Sequence, residues 1–215
     1  MGPLSRTLGA LLILGSAGLF AQTQEWEIGG AGGYAFAKTN NVSNDTASGE
    51  AGFRSGYIVS AVAGNHMWRF LSGEVRYVYR KGPLKVNSDG GNATLAGDSH
   101  AVSYDLLLHT ASREAKVRPY VAFGGGIKIF RGRGEESEYQ PGRELAVLTK
   151  TQQNVPLLSV GGGVSVRLSS FSVLRLDFRD HITPFPTEVI LPAPGAKVHG
   201  FLHDFLPLVG ISLTF

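Results

Sequence analysis

The chain contains no cysteine, so disulfide staples, thiolate catalysis and zinc ribbons are excluded from the start. It is also poor in charge. Asp, Glu, Lys and Arg make up 17% of its residues, against about 25% in ordinary soluble domains. The formal net charge is only +3 and the basic residues are scattered, so nucleic acid is not an expected partner. Beyond the first 21 residues nothing keeps a helical hydrophobic period, and no apolar run reaches the length of a spanning helix. A length of 215 residues suits one domain.

What the chain does have begins at the N-terminus. Arg6 precedes an apolar stretch over residues 8–21 that includes Leu11, Leu12, Ile13, Leu14, Leu19 and Phe20. The stretch is too short to cross a bilayer, which takes ~20 apolar residues. Small residues follow, and cleavage is expected after Ala21. The expected division is a signal peptide over 1–21 and a single exported domain over 22–215.

The rest of the chain alternates apolar and polar residues in segments broken by turn-rich stretches, the pattern of half-buried strands. Eight strands are predicted, near residues 25–37, 49–63, 69–80, 99–110, 117–130, 157–168, 173–182 and the C-terminal segment. In the first, Trp26, Ile28, Gly30, Gly32, Tyr34 and Phe36 share a face. In the second, Ala51, Phe53, Tyr57, Val59 and Ala61 share one face, with Glu50 and Arg54 on the other. The seventh alternates Leu174, Leu176 and Phe178 with Arg175, Asp177 and Arg179.

Connections after odd strands are long (38–48, 81–98, 131–155, 183–200), and those after even strands are short (64–68, 111–116, 169–172). Long–short alternation is the habit of transmembrane barrels, with short periplasmic turns and long external loops. An even strand number puts both termini in the periplasm. Periodicity alone does not say which face is outside, since a soluble barrel turns its apolar face inward. The many full charges on the polar faces favour the inverted arrangement. So do the aromatics at strand ends: Trp26, Trp68, Phe70, Phe171 and Phe215 at one rim, and Tyr34, Phe36, Tyr79, Phe130 and Phe201 at the other. The expected fold is all-β: an eight-stranded antiparallel up-and-down transmembrane β-barrel behind a cleaved signal peptide.

Some residues strain this reading. Pro119 and Pro207 fall within strands, where each removes a ladder donor, and a bulge or a later strand start is expected near Pro207. Residues 144–150 could extend the fifth and sixth strands above the membrane. The triplets Gly124–Gly126 and Gly161–Gly163 lack the Lys-Ser/Thr of a phosphate loop, and are expected to make room for lumen side chains. Gly30-Ala31-Gly32-Gly33-Tyr34-Ala35 fits a dinucleotide fingerprint on paper, with Glu50 at a suitable distance, but no helix follows it.

Three segments resemble the small bacterial outer-membrane β-barrels, the group that includes OmpX and the transmembrane domain of OmpA. They are Arg118-Pro119-Tyr120-Val121-Ala122-Phe123-Gly124-Gly125-Gly126, Leu174-Arg175-Leu176-Asp177-Phe178-Arg179-Asp180-His181, and Val209-Gly210-Ile211-Ser212-Leu213-Thr214-Phe215. The likeness covers the whole exported chain, but its motifs are architectural. It implies residence in the outer membrane, contact with outer-membrane lipid, and an assembly signal, formed by Phe215 with Leu213, Ile211 and Val209, that the barrel assembly machinery reads. Nothing follows Phe215, so the peptidoglycan-binding domain of OmpA-type proteins is not expected.

The candidate functional residues are the inward charges: Glu50, Arg54, Glu74, Arg76, Arg80, Asp105, Lys128, Arg167, Arg175, Asp177, Arg179 and Asp204. An eight-stranded barrel is just wide enough for side chains to fill, and unpaired charge inside would cost several kcal/mol. A salt-bridged plug is therefore expected, with a weakly conducting gate as the sharper alternative. His100, His181, His199 and His203 lie toward the outer strand ends, and Asp180-His181 is the best local acid–His pair. No serine is placed beside it as a nucleophile. His199 and His203 would sit some 13 Å apart at ~3.3 Å per residue, too far to share a metal. The expected function is non-enzymatic, structural or surface-interacting, with neither catalytic residues, metal nor cofactor. A lipid-modifying hydrolase is the alternative, and a small gated channel a weaker one.

Overall fold

Alternating apolar and polar residues become strands along nearly the whole chain, in a computed structural model that describes residues 26–215. The predicted signal peptide over 1–21 and Glu25 lie outside the described residues. Eight strands form the barrel wall: β1 (Trp26–Lys38), β4 (Gly56–His66), β5 (Leu71–Lys81), β7 (Gly91–His109), β8 (Val117–Arg133), β10 (Gln152–Arg167), β11 (Ser172–Thr183) and β14 (Leu202–Thr214). Six shorter ones lie in the long connections: β2 (Asn40–Ser43), β3 (Ser48–Phe53), β6 (Leu84–Ser88), β9 (Ala146–Leu148), β12 (Ile190–Pro192) and β13 (Lys197–Val198).

Each wall strand pairs antiparallel with the next, and β14 returns to β1. Trp26 and Phe215 seal the seam by exchanging backbone hydrogen bonds of 2.8 and 3.0 Å. A closed ring leaves no unpaired edge, which is what allows strands to stand in lipid. Five wall strands of 11–13 residues match the ~9–11 residues a tilted transmembrane strand needs. The 19, 17 and 16 residues of β7, β8 and β10 overshoot it and carry the wall up into the long-loop end.

The faces separate by polarity. Ile28, Val59, Val75, Val102, Tyr104, Leu106, Phe123, Phe178, Val209 and Ile211 are exposed on the outside. Glu74, Arg76, Asp105, Arg175, Asp177 and Arg179 on the same strands are buried inside. An exposed apolar band around a charged interior is the reverse of a soluble barrel, and it makes this a transmembrane one. Trp26, Trp68, Phe70, Phe171 and Phe215 stand exposed around the short-turn rim, where amphipathic rings suit the bilayer interface.

The long connections fold together. Strands β13, β2, β3 and β6 and the first part of β7 form one continuous sheet. A separate ribbon of β9 and β12 lies near it. Their inner faces share one apolar core that includes Val42, Ala51, Phe53, Leu84, Val86, Phe130, Leu145, Leu148, Val189 and Ile190. This is a folded cap over the barrel's mouth.

The cap explains where the structure departs from the sequence-based expectations. The second predicted strand is two, β3 and β4, broken at Arg54–Ser55, where the Arg54 amide donates to the Pro83 carbonyl. The chain reorients there, so Ala51 and Phe53 face the cap core while Tyr57, Val59 and Ala61 face outward. Phe130 is not a rim aromatic. It is 0% exposed and stacks on Phe53 with ring centroids 4.7 Å apart. Residues 146–148 pair with 190–192 rather than extending the fifth and sixth predicted strands, because apolar Ala146 and Leu148 belong to the cap core.

Neither proline produces a bulge. The β1–β14 register is the same on both sides of Pro207, and only the pairs opposite Tyr34 and Ala35 drop out of the ladder. Pro119 lies where β7 ends. There its carbonyl accepts from the Thr110 amide at 2.9 Å and its missing N–H faces a strand terminus.

Candidate functional site: a charged lumen under an aromatic lid

Period-two strands that turn one face to lipid must turn the other into a lumen too narrow for bulk water. Glu74 on β5 is the hub of that interior. Its carboxylate accepts from Arg76 at 2.6 Å, Arg175 at 2.8 Å and Arg179 at 3.1 Å. Asp177 on β11 lies 3.1 Å from both Arg76 and Arg179, and Asp105 lies 3.6 Å from Arg179. Glu27 on β1 extends the cluster toward the short turns by accepting from Arg175 at 3.1 Å. Tyr120 contributes its hydroxyl to Arg175 at 3.2 Å and its ring to Arg175 and Arg179.

Glycines admit this cluster. A Cβ at Gly161 would come 2.9 Å from the Arg179 Cδ, and one at Gly163 would come 2.6 Å from the Tyr120 Oη. A Cβ at Gly124 would come 2.2 Å from an Asp105 oxygen. The two triplets thus clear space for the charged side chains and bring neighbouring backbones close.

A second cluster stands nearer the cap. Asp204 on β14 accepts from Arg80 at 2.7 Å and from Lys128. The Arg80 guanidinium lies 5.2 Å from the Phe53 ring centroid, and the Lys128 ammonium 5.1 Å from that of Phe130. The two stacked rings at the base of the cap therefore lie on the cations of the upper cluster, with the geometry of cation–π contacts.

Between the clusters an apolar group packs beside the buried polar side chains of His181, Ser159 and Ser60. Ile58, Val78, Leu157, Leu206 and Leu208 pack together with Ala35 and Ala101. Along β5, Val78 separates Arg76 from Arg80. Nothing in the alternation distinguishes these residues from the polar ones on the same inward face. From the cap downward, the lumen holds an aromatic lid, an ion pair with a third partner, a partly apolar collar and a larger ion network.

Of the twelve predicted lumen charges, nine are brought inside: Glu74, Arg76, Arg80, Asp105, Lys128, Arg175, Asp177, Arg179 and Asp204. The other three are elsewhere. Glu50 is exposed on the cap sheet, where it accepts from Thr39 at 2.8 Å. Arg54 is exposed at the β3–β4 break and only its backbone carbonyl reaches Arg80, at 2.5 Å. Arg167 is exposed at the short-turn mouth, where it donates to the Arg113 carbonyl. Alternation was carried too far in each case, through a kink or past the end of the closed lumen.

Sequence reasoning passed over Glu27, Arg118, His66, Ser72 and His109, all buried at the short-turn end. Their inward parity on β1, β8, β4, β5 and β7 was available. Ser72 bridges His66 Nδ1 at 2.7 Å and His109 Nε2 at 3.1 Å, and Glu27 stands 3.9 Å from His66. The arrangement looks like a nucleophile with its base and orienting acid. The cavity beside it, however, is about 10 Å³, roughly the room of a single water and no more. An acyl substrate does not fit.

Asp180 and His181, the best local acid–His pair in the sequence, do not meet, because consecutive strand residues point to opposite faces. His181 is buried in the lumen, while Asp180 on the outer face bonds His203 across the strands at 2.8 Å. His100 is on the outer face and meets the Tyr77 hydroxyl at 2.7 Å. Val209, Ile211, Leu213 and Phe215, the predicted assembly signal, are all exposed in one outward row at the end of β14.

No protein family matches the chain, and no curated sequence is significantly similar to it. Solved structures are similar in shape. Neisserial surface protein A matches with a TM-score of 0.56 at 13% identity, over 88% of this chain and 97% of that one. A major outer membrane protein of Thermus thermophilus matches with a TM-score of 0.56 at 12% identity, over 90% of this chain and 100% of that one. The outer membrane protease OmpT of Escherichia coli matches with a TM-score of 0.50 at 8% identity, over 92% and 98%. At such identities the likeness is one of architecture. The chain has the fold of the small transmembrane β-barrels of bacterial outer membranes, closed here by eight strands and filled with charge.

Proposed function

We propose that this protein is a non-enzymatic resident of the bacterial outer membrane, a closed barrel that holds a folded cap outside the cell for surface contact or envelope support. The observation that carries this reading is the stacked closure of the lumen. Two ion clusters, a partly apolar collar and an aromatic lid lie in series. An ion crossing would have to break buried pairs and squeeze through a closely packed middle of Ile58, Val78, Leu157, Leu206 and Leu208 beside His181. The long loops share one core, so the outer surface is a shaped platform rather than a fringe of mobile strands.

In this reading both termini are periplasmic, the outward belt meets outer-membrane lipid, and the row from Val209 to Phe215 is what the assembly machinery engages. Purified protein in planar bilayers tests closure, with no single-channel current expected at any salt or voltage. A steady conductance would replace the scaffold with a channel. A membrane-impermeant thiol reagent on intact cells tests the orientation: a cysteine at Asn92 should label and one at Ser170 should not. Mass spectrometry of envelope lipids, with and without expression, tests the absence of activity. Unchanged acylation is expected, and a new lipid species would restore the hydrolase reading.

A further inference from the structure

At the short-turn end the lumen opens into a cavity of about 50 Å³ whose walls include Glu27, Lys116, Arg118, Arg167, Ser170 and Thr214. Arg118 on β8 points inward, directly across from Ser165 on β10. It is 7% exposed, yet its Nε and Nη2 are buried without a hydrogen-bond partner. Arg76, Arg80, Arg175 and Arg179 also leave one nitrogen each without a hydrogen-bond partner, but each of them meets a carboxylate, and among the described residues Arg118 pairs with none. A buried guanidinium left in that condition is costly, and the cost falls when an anion supplies the missing acceptors.

The surroundings add cations and commit the anions elsewhere. Lys116 and Arg167 line the same cavity, with one Arg167 nitrogen engaged by the Arg113 carbonyl. Glu27, the one carboxylate among the described residues of the wall, already accepts from Arg175 at 3.1 Å. Glu114 lies exposed in the neighbouring turn, where the nearby Ser112 hydroxyl and its own backbone hold its carboxyl below the usual range. Three cations therefore converge on a space lined, among the described residues, by a single carboxylate that is already engaged by Arg175. By the measure in which one water needs ~10–15 Å³, the cavity of about 50 Å³ accommodates roughly three to five oxygen-sized atoms, a range that includes a tetrahedral oxyanion.

We propose that this mouth is an anion site that takes a phosphate group, with Arg118 as its floor, Lys116 and Arg167 as its walls and the Ser170 and Thr214 hydroxyls as further donors. The phosphate can arrive as a free ion or as a lipid headgroup reaching over the rim, since both present the same oxygens to the same cations.

Calorimetric titration of the folded barrel with inorganic phosphate, in phosphate-free maltoside micelles, tests the site. One saturable event per chain is expected. Arg118→Gln should weaken it at least tenfold and Lys116→Gln severalfold, while Arg133→Gln at the cap end leaves it unchanged. If Arg118→Gln does not fold, Lys116→Gln decides, because that residue is exposed in a turn. Repeating the titration in phospholipid nanodiscs distinguishes the sources. Retained binding assigns free phosphate and displaced binding assigns a headgroup, and either result upholds the site. Absence of saturable binding, or binding indifferent to both substitutions (an adventitious ion only), overturns it.

Discussion

Removing the charge of Glu74 should be among the most damaging single changes in this barrel. The side chain is 2% exposed and holds three arginines at 2.6–3.1 Å. Among the ion-paired groups of the described lumen, Arg76, Arg80, Lys128, Arg175 and Arg179 balance Glu27, Glu74, Asp105, Asp177 and Asp204, and Arg118 stands apart at the short-turn mouth. Glu74→Gln keeps the shape and leaves one cation in excess. Breaking a buried pair costs about 3–5 kcal/mol, because the partner stays buried and uncompensated. With a urea dependence of about 2 kcal/mol per molar, the unfolding midpoint should fall by roughly 1.5–2.5 M. The assay is urea titration of the vesicle-embedded barrel, followed by its heat-modifiable gel migration. Adding Arg76→Gln restores neutrality and should recover at least about 1 kcal/mol of the loss, as coupled neighbours do. A Glu74→Gln midpoint within about 0.25 M of the parent, worth roughly 0.5 kcal/mol on the same slope, would refute a tightly coupled plug and point to a lumen wet enough to screen its charges.

Gly163→Val should prevent stable folding, because its Cβ would fall 2.3 Å from the Leu176 carbonyl and 2.6 Å from the Tyr120 hydroxyl. Gly30→Ala, 3.8 Å from its nearest atom, should stay within about 0.5 kcal/mol of the parent, as benign substitutions do; gel migration separates the two. Phe130→Ala removes half of the stacked pair and should cost the cap about 3–5 kcal/mol. That loosening is read as new tryptic cleavage after Lys85 or Lys150 while the barrel still resists. A cap as trypsin-resistant as the parent would mean the loops do not depend on this core.

The wall was legible because lipid on one side and a charged lumen on the other leave a period-two record in every strand. Leu174 to Arg179 reads directly as out, in, out, in. Long and short connections then set the topology. What alternation cannot carry is where a strand leaves the membrane. Phe53 and Tyr57 have the same parity, yet one faces a protein core and the other faces lipid, because the chain reorients at Arg54–Ser55. Phe130 looked like a rim aromatic for the same reason. Once a strand outruns the bilayer, an apolar side chain is free to pack on its own protein. The cap was hidden because its core is assembled from all four long connections, no one of which is apolar enough to announce itself. The collar of Val78, Leu157, Leu206 and Leu208 was hidden by the assumption that an inward face is polar throughout. Arg118 and Glu27 were passed over at the strand ends, where facing is least certain from pattern alone.

The orientation of the apolar face underlies all of this, and a cysteine-free chain permits a direct test of it. Single cysteines carried from Val102 to His109 on β7, spin-labelled in vesicles, report which reagent reaches each position. Labels at Val102, Tyr104, Leu106 and Leu108 should collide with dissolved oxygen and be shielded from a water-soluble nickel chelate. Labels at Ser103, Asp105, Leu107 and His109 should be shielded from both. Free access of the nickel chelate to the Val102–Leu108 set would contradict the account and describe a barrel that keeps water outside and grease within.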